Sequence, residues 1–263
     1  MDKKMPVLRV ALLHLDPRPG KLEANRALIE RSVRRAAALG ADFIVTPELA
    51  ESGYHFEDYI GTGWIGEESK AWIDHMSAVA SDLGVTLLLS TAERDQATGH
   101  LHNTVFALTG AGKTAGRYRK VNIHESHTTE SWARKGETAD IIVLPQFKLG
   151  VMICADSWPP HIARELAEKG AELIISPANW GETPCPPESC WEKRSLETGL
   201  PVWVCNRTGT EHALNFEDAA SVVVVGGKRL LNHCGPDSVI LLFDWDLEKK
   251  TPLQTEFEVV PVT

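Results

Sequence analysis

Between Phe147 and Pro177 the chain has few options. Phe147, Leu149, Val151, Met152 and Ile153 form an apolar run with no charge after Lys148, the pattern of a buried strand. The run stops at Cys154-Ala155-Asp156-Ser157-Trp158-Pro159-Pro160, where two prolines close the strand. His161 to Lys169 then places Ile162, Ala163, Leu166 and Ala167 on one helical face. Gly170 ends that helix, and Leu173-Ile174-Ile175-Ser176-Pro177 begins the next strand. A thiol is thereby set at the C-terminal end of a buried strand, on the turn into a helix. In α/β proteins that edge presents reacting atoms together with free backbone N–H groups. A free cysteine is as commonly a plain core residue, so position alone leaves both roles open.

The rest of the chain repeats the same units. Val7 to Leu13 reads as a strand, and Leu22 to Leu39 as a helix with Leu28, Ile29, Val33 and Ala36 on one face and Gly40 as its cap. Asp42 to Thr46 is a second strand, Lys70 to Leu83 a helix capped by Gly84, and Thr86 to Ser90 a third strand. Thr104–Leu108 and Lys113–Tyr118 flank Gly110-Ala111-Gly112 and read as a hairpin. After the Leu173 strand, the second half continues with a helix around Cys190 to Glu197 and a strand at Val202 to Cys205. A hairpin at Ser221–Val225 and Arg229–Leu231 follows, then a strand at Val239 to Phe243 and a tail. Each half thus runs through strands and helices to a hairpin, with no low-complexity linker between them. One domain over residues 1–263, an α/β four-layer αββα sandwich of two mixed β-sheets, would bury all of these apolar faces.

Composition narrows the possible partners. With 27 basic and 36 acidic residues the chain carries a formal charge of −9, which argues against a general nucleic-acid or anionic-membrane binder. No apolar run approaches transmembrane length, and the N-terminus enters a strand without a signal-peptide pattern. Five cysteines, an odd number in a chain of this size, read as reduced thiols of a cytoplasmic protein.

Three polar residues sit where strands end. Glu48 follows Val45-Thr46-Pro47, Lys120 follows Arg117-Tyr118-Arg119, and Cys154 follows Gly150-Val151-Met152-Ile153. A buried strand end accommodates such groups only when they are paired. Together they make a complete acyl-transfer set. The thiol is a nucleophile, an ammonium beside it lowers its pKa and holds an oxyanion, and a carboxylate moves the proton. The Ala155 N–H is a natural second oxyanion donor. An ordinary ion pair between Glu48 and Lys120 is the competing reading.

These blocks resemble the signature blocks of the nitrilase superfamily of carbon–nitrogen hydrolases. Thr-Pro-Glu48, Tyr-Arg-Lys120 and Gly-Val-Met-Ile-Cys154-Ala-Asp stand in the family's order, 72 and then 34 residues apart. Ile162–Ala167 with Lys169-Gly170-Ala171-Glu172, Ser176-Pro177-Ala178-Asn179-Trp180 and Cys205-Asn206-Arg207-Thr208-Gly209 are further matching stretches. The resemblance implies Cys154 as nucleophile, Glu48 as general base and Lys120 as oxyanion stabiliser, on an αββα fold assembled into homodimers or larger homo-oligomers. It also implies a second active-site glutamate, for which Glu130 is the candidate ahead of Glu125. No cofactor is called for. Many amidase and carbamoylase members carry Arg four residues after the cysteine and Glu seven after it, where this chain has Trp158 and His161. Trp158 predicts an apolar or aromatic wall and weakens the case for a carbamoyl amino acid. Tyr54 and Trp180 are further candidates for the pocket. The expected substrate is a small amide. A nitrile or an N-carbamoyl compound is the alternative within the class, and a catalytically silent binding protein the alternative outside it.

Other signals carry less. Gly110-Ala111-Gly112-Lys113-Thr114 imitates a phosphate loop but joins two strands rather than opening a helix. Cys185 and Cys190 lack the further ligands a metal needs, so no metal is expected. The histidines, among them His100, His102, His124 and His127, read as surface or rim residues of loops.

Overall fold

The computed structural model describes residues 6–123, 130–181 and 190–262. The first part of the chain forms β1 (Val7–His14), α1 (Leu22–Ala38), β2 (Phe43–Val45), α2 (Glu57–Ile60), α3 (Glu67–Leu83), β3 (Thr86–Arg94), β4 (Leu101–Thr109) and β5 (Lys113–Arg119). There follow β6 (Ile142–Val143), β7 (Lys148–Val151), α4 (Pro160–Glu168), β8 (Leu173–Ala178), α5 (Cys190–Thr198) and β9 (Val202–Asn206). The chain continues through β10 (Thr210–Glu211), β11 (Leu214–Asn215), β12 (Ser221–Val225), β13 (Lys228–His233), β14 (Val239–Asp246), β15 (Thr251–Pro252) and β16 (Glu258–Pro261).

The strands make two large mixed sheets. The first has the order β15-β14-β1-β2-β3-β4-β5, with β16 also paired to β14, and the second β13-β12-β9-β8-β7-β6. In each, three parallel strands (β1-β2-β3 and β7-β8-β9) lead into an antiparallel hairpin (β4-β5 and β12-β13). The period-2 alternation sorts the side chains. From β1, Val10 and Leu12 enter the core between the sheets, while Ala11 and Leu13 face the helices. Ile29, Val33 and Ala36 of α1 and Trp72, Met76 and Val79 of α3 meet them there. On the second sheet α4 packs on β7, and α5 on β9 and β12. The result is the four-layer αββα arrangement. No helix among the described residues is long and apolar enough to cross a membrane.

The differences from the sequence reading have physical causes. The helix expected from Lys70 begins at Glu67, because Ser69 Oγ accepts the Gly66 N–H at 3.0 Å and caps an earlier turn. β3 and β4 extend to Arg94 and from Leu101, through polar residues such as Glu93 and Asn103 that an apolar pattern cannot register. The strand at Val239 is longer than expected and returns to the first sheet, pairing eight residues with β1. Among the described residues five histidines sit on strands or helices rather than loops (His14, His75, His102, His161 and His233), and two of these are buried. His14 is buried in β1, its Nδ1 3.0 Å from Ser221 Oγ, and burial with a contribution from His233 holds it down at about 4. His102 is buried in β4, its Nδ1 2.9 Å from the Arg134 carbonyl. In both cases a polar partner from another segment makes burial tolerable. His124 and His127 lie outside the described residues, as does Cys185. Pro177 stands inside β8, which the loss of a ladder N–H would ordinarily forbid. Met152 N–H donates to the Ile175 carbonyl and Arg207 N–H to that of Ala178, so odd positions of β8 face β7. β7 ends at Val151, opposite Ile175, and Pro177 therefore faces a place where no ladder continues.

Candidate active site

The site forms where strands of both sheets end. β2 delivers Glu48, β5 Lys120, β7 Cys154 and β8 Asn179. Both turns that carry these groups contain a non-glycine residue in the left-handed region: Leu49 at φ 47° and Cys154 itself at φ 48°. Such backbone persists only when its surroundings hold it. At Leu49 the hold comes from β3, where Ser90 Oγ accepts the Leu49 N–H at 3.2 Å and Ser90 N–H donates to Thr46 Oγ1 at 2.9 Å.

At Cys154 the hold comes from Asp156, a fully buried carboxylate in the 3-10 turn Cys154–Ser157. It accepts the Ile153 N–H (2.9 Å), the Val121 N–H (3.1 Å), the Asn122 N–H (2.6 Å) and the Tyr118 hydroxyl (2.9 Å). Asn122 Nδ2 also donates to the Ala155 carbonyl at 2.7 Å. One side chain thus fastens the cysteine turn to the segment that follows Lys120. Burial raises Asp156 to about 6 even though Lys120 and these donors pull it down. From the other side, the Arg194 guanidinium of α5 donates to the carbonyls of Ser157 (3.3 Å) and Trp158 (2.8 Å), and Trp191 Nε1 to Ser157 Oγ (3.1 Å).

The centre is a buried ionic cluster. Lys120 Nζ lies 2.8 Å from Glu48 Oε1 and 2.8 Å from both carboxylate oxygens of Glu130. Asn103 Nδ2 donates to the same two glutamates, at 2.8 Å to Glu48 Oε1 and 2.9 Å to Glu130 Oε1. Asn179 holds Glu48 twice, its N–H on Oε2 and its Nδ2 on the main-chain carbonyl, both at 3.0 Å. All four acidic and basic groups, Cys154 included, are nearly shut off from solvent. Burial lowers the Lys120 pKa, but Glu130 and Glu48 more than offset it, so the ammonium stays charged far above its ordinary range. Burial raises Glu48, against the pull of Lys120. The thiol is likewise raised well above its usual value, by burial and then by Glu48, against the charge of Lys120 and the Asn179 N–H. The sequence reading expected an ammonium to lower the thiol pKa. It does pull that way, but it is shared between two carboxylates, and desolvation prevails. The resting cysteine is therefore a neutral thiol with the Glu48 carboxylate nearby.

Of the two candidates for a second glutamate, Glu130 is the one found on Lys120. Glu125 lies outside the described residues. Ala155 is the second residue of the 3-10 turn, where the first amides have no acceptor within the turn. Trp180 is buried with its ring edge-on to Trp191, at 5.5 Å between centroids. Trp158 stacks on Trp180 at 6.0 Å while remaining 42% exposed. Burial, then the charge of Glu130, pushes the Tyr54 phenol well up, and Glu48 and Cys154 add to it, which places that ring beside the cluster. Glu211 accepts the Tyr54 N–H at 3.2 Å and is itself bound by the buried Arg207. Among the described residues no group of three or more His, Cys, Asp or Glu could hold a metal ion.

Asn103 and Asp156 were not identified as site residues from the sequence. One signal for Asn103 was available: Val105 and Ala107 share its face of β4 and lie in the core between the sheets, so a polar residue two positions earlier points into that core.

The model of the carbon-nitrogen hydrolase family matches residues 9–240. The chain belongs to that family and is a hydrolase acting on C–N bonds. Among curated relatives, a nitrilase of Pyrococcus abyssi is 32% identical over 217 residues, covering 80% of this chain and 79% of the relative. An N-carbamoylputrescine amidase of Solanum tuberosum is 31% identical over 257 residues, covering 87% and 83%. Among solved structures, a mutant of the amidase of Nesterenkonia sp. AN1 superposes with a TM-score of 0.82 at 25% identity, covering 92% of each chain. That structure shows the acetamide moiety of fluoroacetamide added covalently at the active-site cysteine.

Proposed function

We propose that the chain is a thiol amidase that releases ammonia or an amine from a small amide through a thioester on Cys154. The observation that carries this reading is the desolvated Glu48–Lys120–Glu130 cluster set beside a thiol on a left-handed turn. As Cys154 Sγ attacks the carbonyl carbon, its proton passes to Glu48, and the C=O electron pair becomes an oxyanion. Lys120 Nζ and the Ala155 N–H stabilise that charge in a site already stripped of water. The C–N bond then breaks, with Glu48 returning the proton to the leaving nitrogen. Water attacks the thioester, Glu48 takes its proton, and the acid and the free thiol are restored. Glu130 keeps Lys120 charged throughout.

The one ammonium of the cluster is already shared between two carboxylates, Glu48 and Glu130, which disfavours its use in binding an anionic substrate group. The stacked Trp158–Trp180 pair, with Tyr54, supplies apolar wall, which favours a small neutral substrate. The test is ammonia release from a panel of aliphatic amides, N-carbamoyl amines and nitriles, with Cys154→Ala and Cys154→Ser as blanks. The expected result is turnover of one or more amides that vanishes in both variants while both stay folded. Undiminished turnover in Cys154→Ala would overturn the reading. So would a wild-type Cys154 that neither turns over any compound nor reacts with iodoacetamide at neutral pH.

A further inference from the structure

The two oxygens of Glu48 are not equivalent. A carboxylate oxygen offers two lone pairs. Oε1 accepts Lys120 Nζ and Asn103 Nδ2, both at 2.8 Å, and is filled. Among the described residues Oε2 accepts only the Asn179 N–H, at 3.0 Å, which leaves one lone pair. The difference between them is made by Asn103. Its amide nitrogen donates one hydrogen to Glu48 and the other to Glu130, and its main-chain carbonyl accepts the Lys120 N–H at 2.9 Å. One residue of β4 therefore sets both carboxylates and the backbone of the lysine between them.

The orientation of the Asn103 amide follows from its neighbours, since the reverse would press its carbonyl oxygen against two carboxylates. In the orientation present, Oδ1 is buried without a hydrogen-bond partner. An aliphatic side chain of similar size would fill this core position without an unmatched carbonyl. What the amide supplies in exchange is the bridge.

We propose that Asn103 is a positioning residue for the hydrolytic reaction: by filling Glu48 Oε1 it reserves Oε2 as the atom that receives the Cys154 proton. The inference rests on the reading of Glu48 as general base. The charged or titratable groups around that carboxylate are Lys120, Glu130, Cys154 and Tyr54, and all four remain in place when Asn103 is changed.

Asn103→Leu keeps the shape and removes both donors, and Asn103→Asp keeps the shape and adds a third carboxylate. Each is assayed for kcat and KM across pH on a substrate turned over by the wild type. In parallel, the rate of Cys154 alkylation by iodoacetamide is followed over the same range, which needs no substrate. In Asn103→Leu, kcat should fall by about 10- to 100-fold with KM within about threefold. The acidic limb of kcat/KM and of alkylation should move to higher pH, because a donor that favours the ionised carboxylate is gone. Asn103→Asp should move the limb further in the same direction. An unmoved limb in a folded variant, even with a lowered melting temperature, would overturn the proposal, and Asn103→Asp answers alone if Asn103→Leu fails to fold. A wild type with an inert Cys154 and no acidic limb would overturn the base reading and this inference together. A wild-type limb that both variants retain would overturn this inference only.

Discussion

Arg119 and Lys120 are neighbours in the chain, and each holds two carboxylates, yet they stand in different solvents. On the outer face of the first sheet, Arg119 binds Glu93 Oε1 and Asp95 Oδ2, both at 2.6 Å, and Arg117 reaches Glu93 at 3.2 Å. These side chains border a cleft of about 1010 Å³ lined by Asp95, Arg117, Arg119 and Arg134. On the inner face, Lys120 binds Glu48 and Glu130 with almost no solvent contact. Outside, hydrogen bonds from Arg119 and Thr98 hold Asp95 well below the ordinary carboxylate range. Inside, burial raises Glu48 against the pull of Lys120 and Asn103. Two carboxylates share two guanidinium groups outside and one ammonium inside, and the outcomes are opposite. At the outer site the two guanidinium groups keep partial contact with water and share the load, whereas the inner ions depend wholly on one another.

The largest separation between the two sites should come from removing the cation. Lys120→Met leaves two buried carboxylates without a counter-ion, and should destabilise the fold by about 3–5 kcal/mol in urea unfolding. If the fold survives, amide turnover should fall by roughly a hundredfold or more. Adding Glu130→Gln to that variant should recover part of the stability and none of the activity. Equal losses from Lys120→Met and Arg119→Met would erase the distinction between the faces.

Glu51 tests an intermediate case. It is buried like Glu48, but its partner Arg26 also binds Glu68 at the surface, at 2.8 Å. Burial raises Glu51 to about 7, against the pull of Thr91 and Arg26. A carboxyl group raised on folding contributes stability below its unfolded value near 4.5 and loses that contribution as pH rises through about 7. Unfolding free energy measured from pH 4.5 to 8 should decline by up to about 3 kcal/mol on this account. Glu51→Gln should flatten that decline, and an unchanged slope would remove Glu51 from the intermediate position.

The smallest effect belongs to the outer face. Arg119→Met should cost about 1 kcal/mol or less and leave turnover within a few-fold of wild type. Raising salt to about 1 M shortens the screening length to about 3 Å. The stability gap between Arg119→Met and wild type should then shrink further, while the gap for Lys120→Met persists.

What the sequence made legible follows the same division. Apolar periodicity fixed the strands and helices because burial is written in period 2 and period 3.6. Glu48 and Cys154 could be found because each follows an apolar strand within a few residues, and Lys120 because it stands at the end of a hairpin strand. Asn103 and Asn179 act through partners 27 to 131 residues away, reached only when β4 lies beside β5 and the β8 end meets that of β2. That adjacency belongs to sheet register, which no local window contains. Asp156 stood in plain view in the cysteine block. Its four donors come from two other segments and from Ile153, so its role could not be read from the block. The polar extensions of β3 and β4 escaped for a related reason, since ion pairs across the outer face replace apolar burial there.

The return of β14 to β1 has a consequence for how the protein is made. The strand carrying Glu48 lies in a sheet in which β1 is flanked on one side by residues 43–45 and on the other by residues 239–246. During synthesis, Glu48, Lys120, Glu130 and Cys154 all leave the ribosome long before that second neighbour exists. Until it arrives, β1 offers a mostly apolar edge of eight residues with unpaired N–H and C=O groups, the kind of edge that invites pairing with another chain. The nascent enzyme therefore holds every member of its ionic cluster while the sheet beneath it is still open.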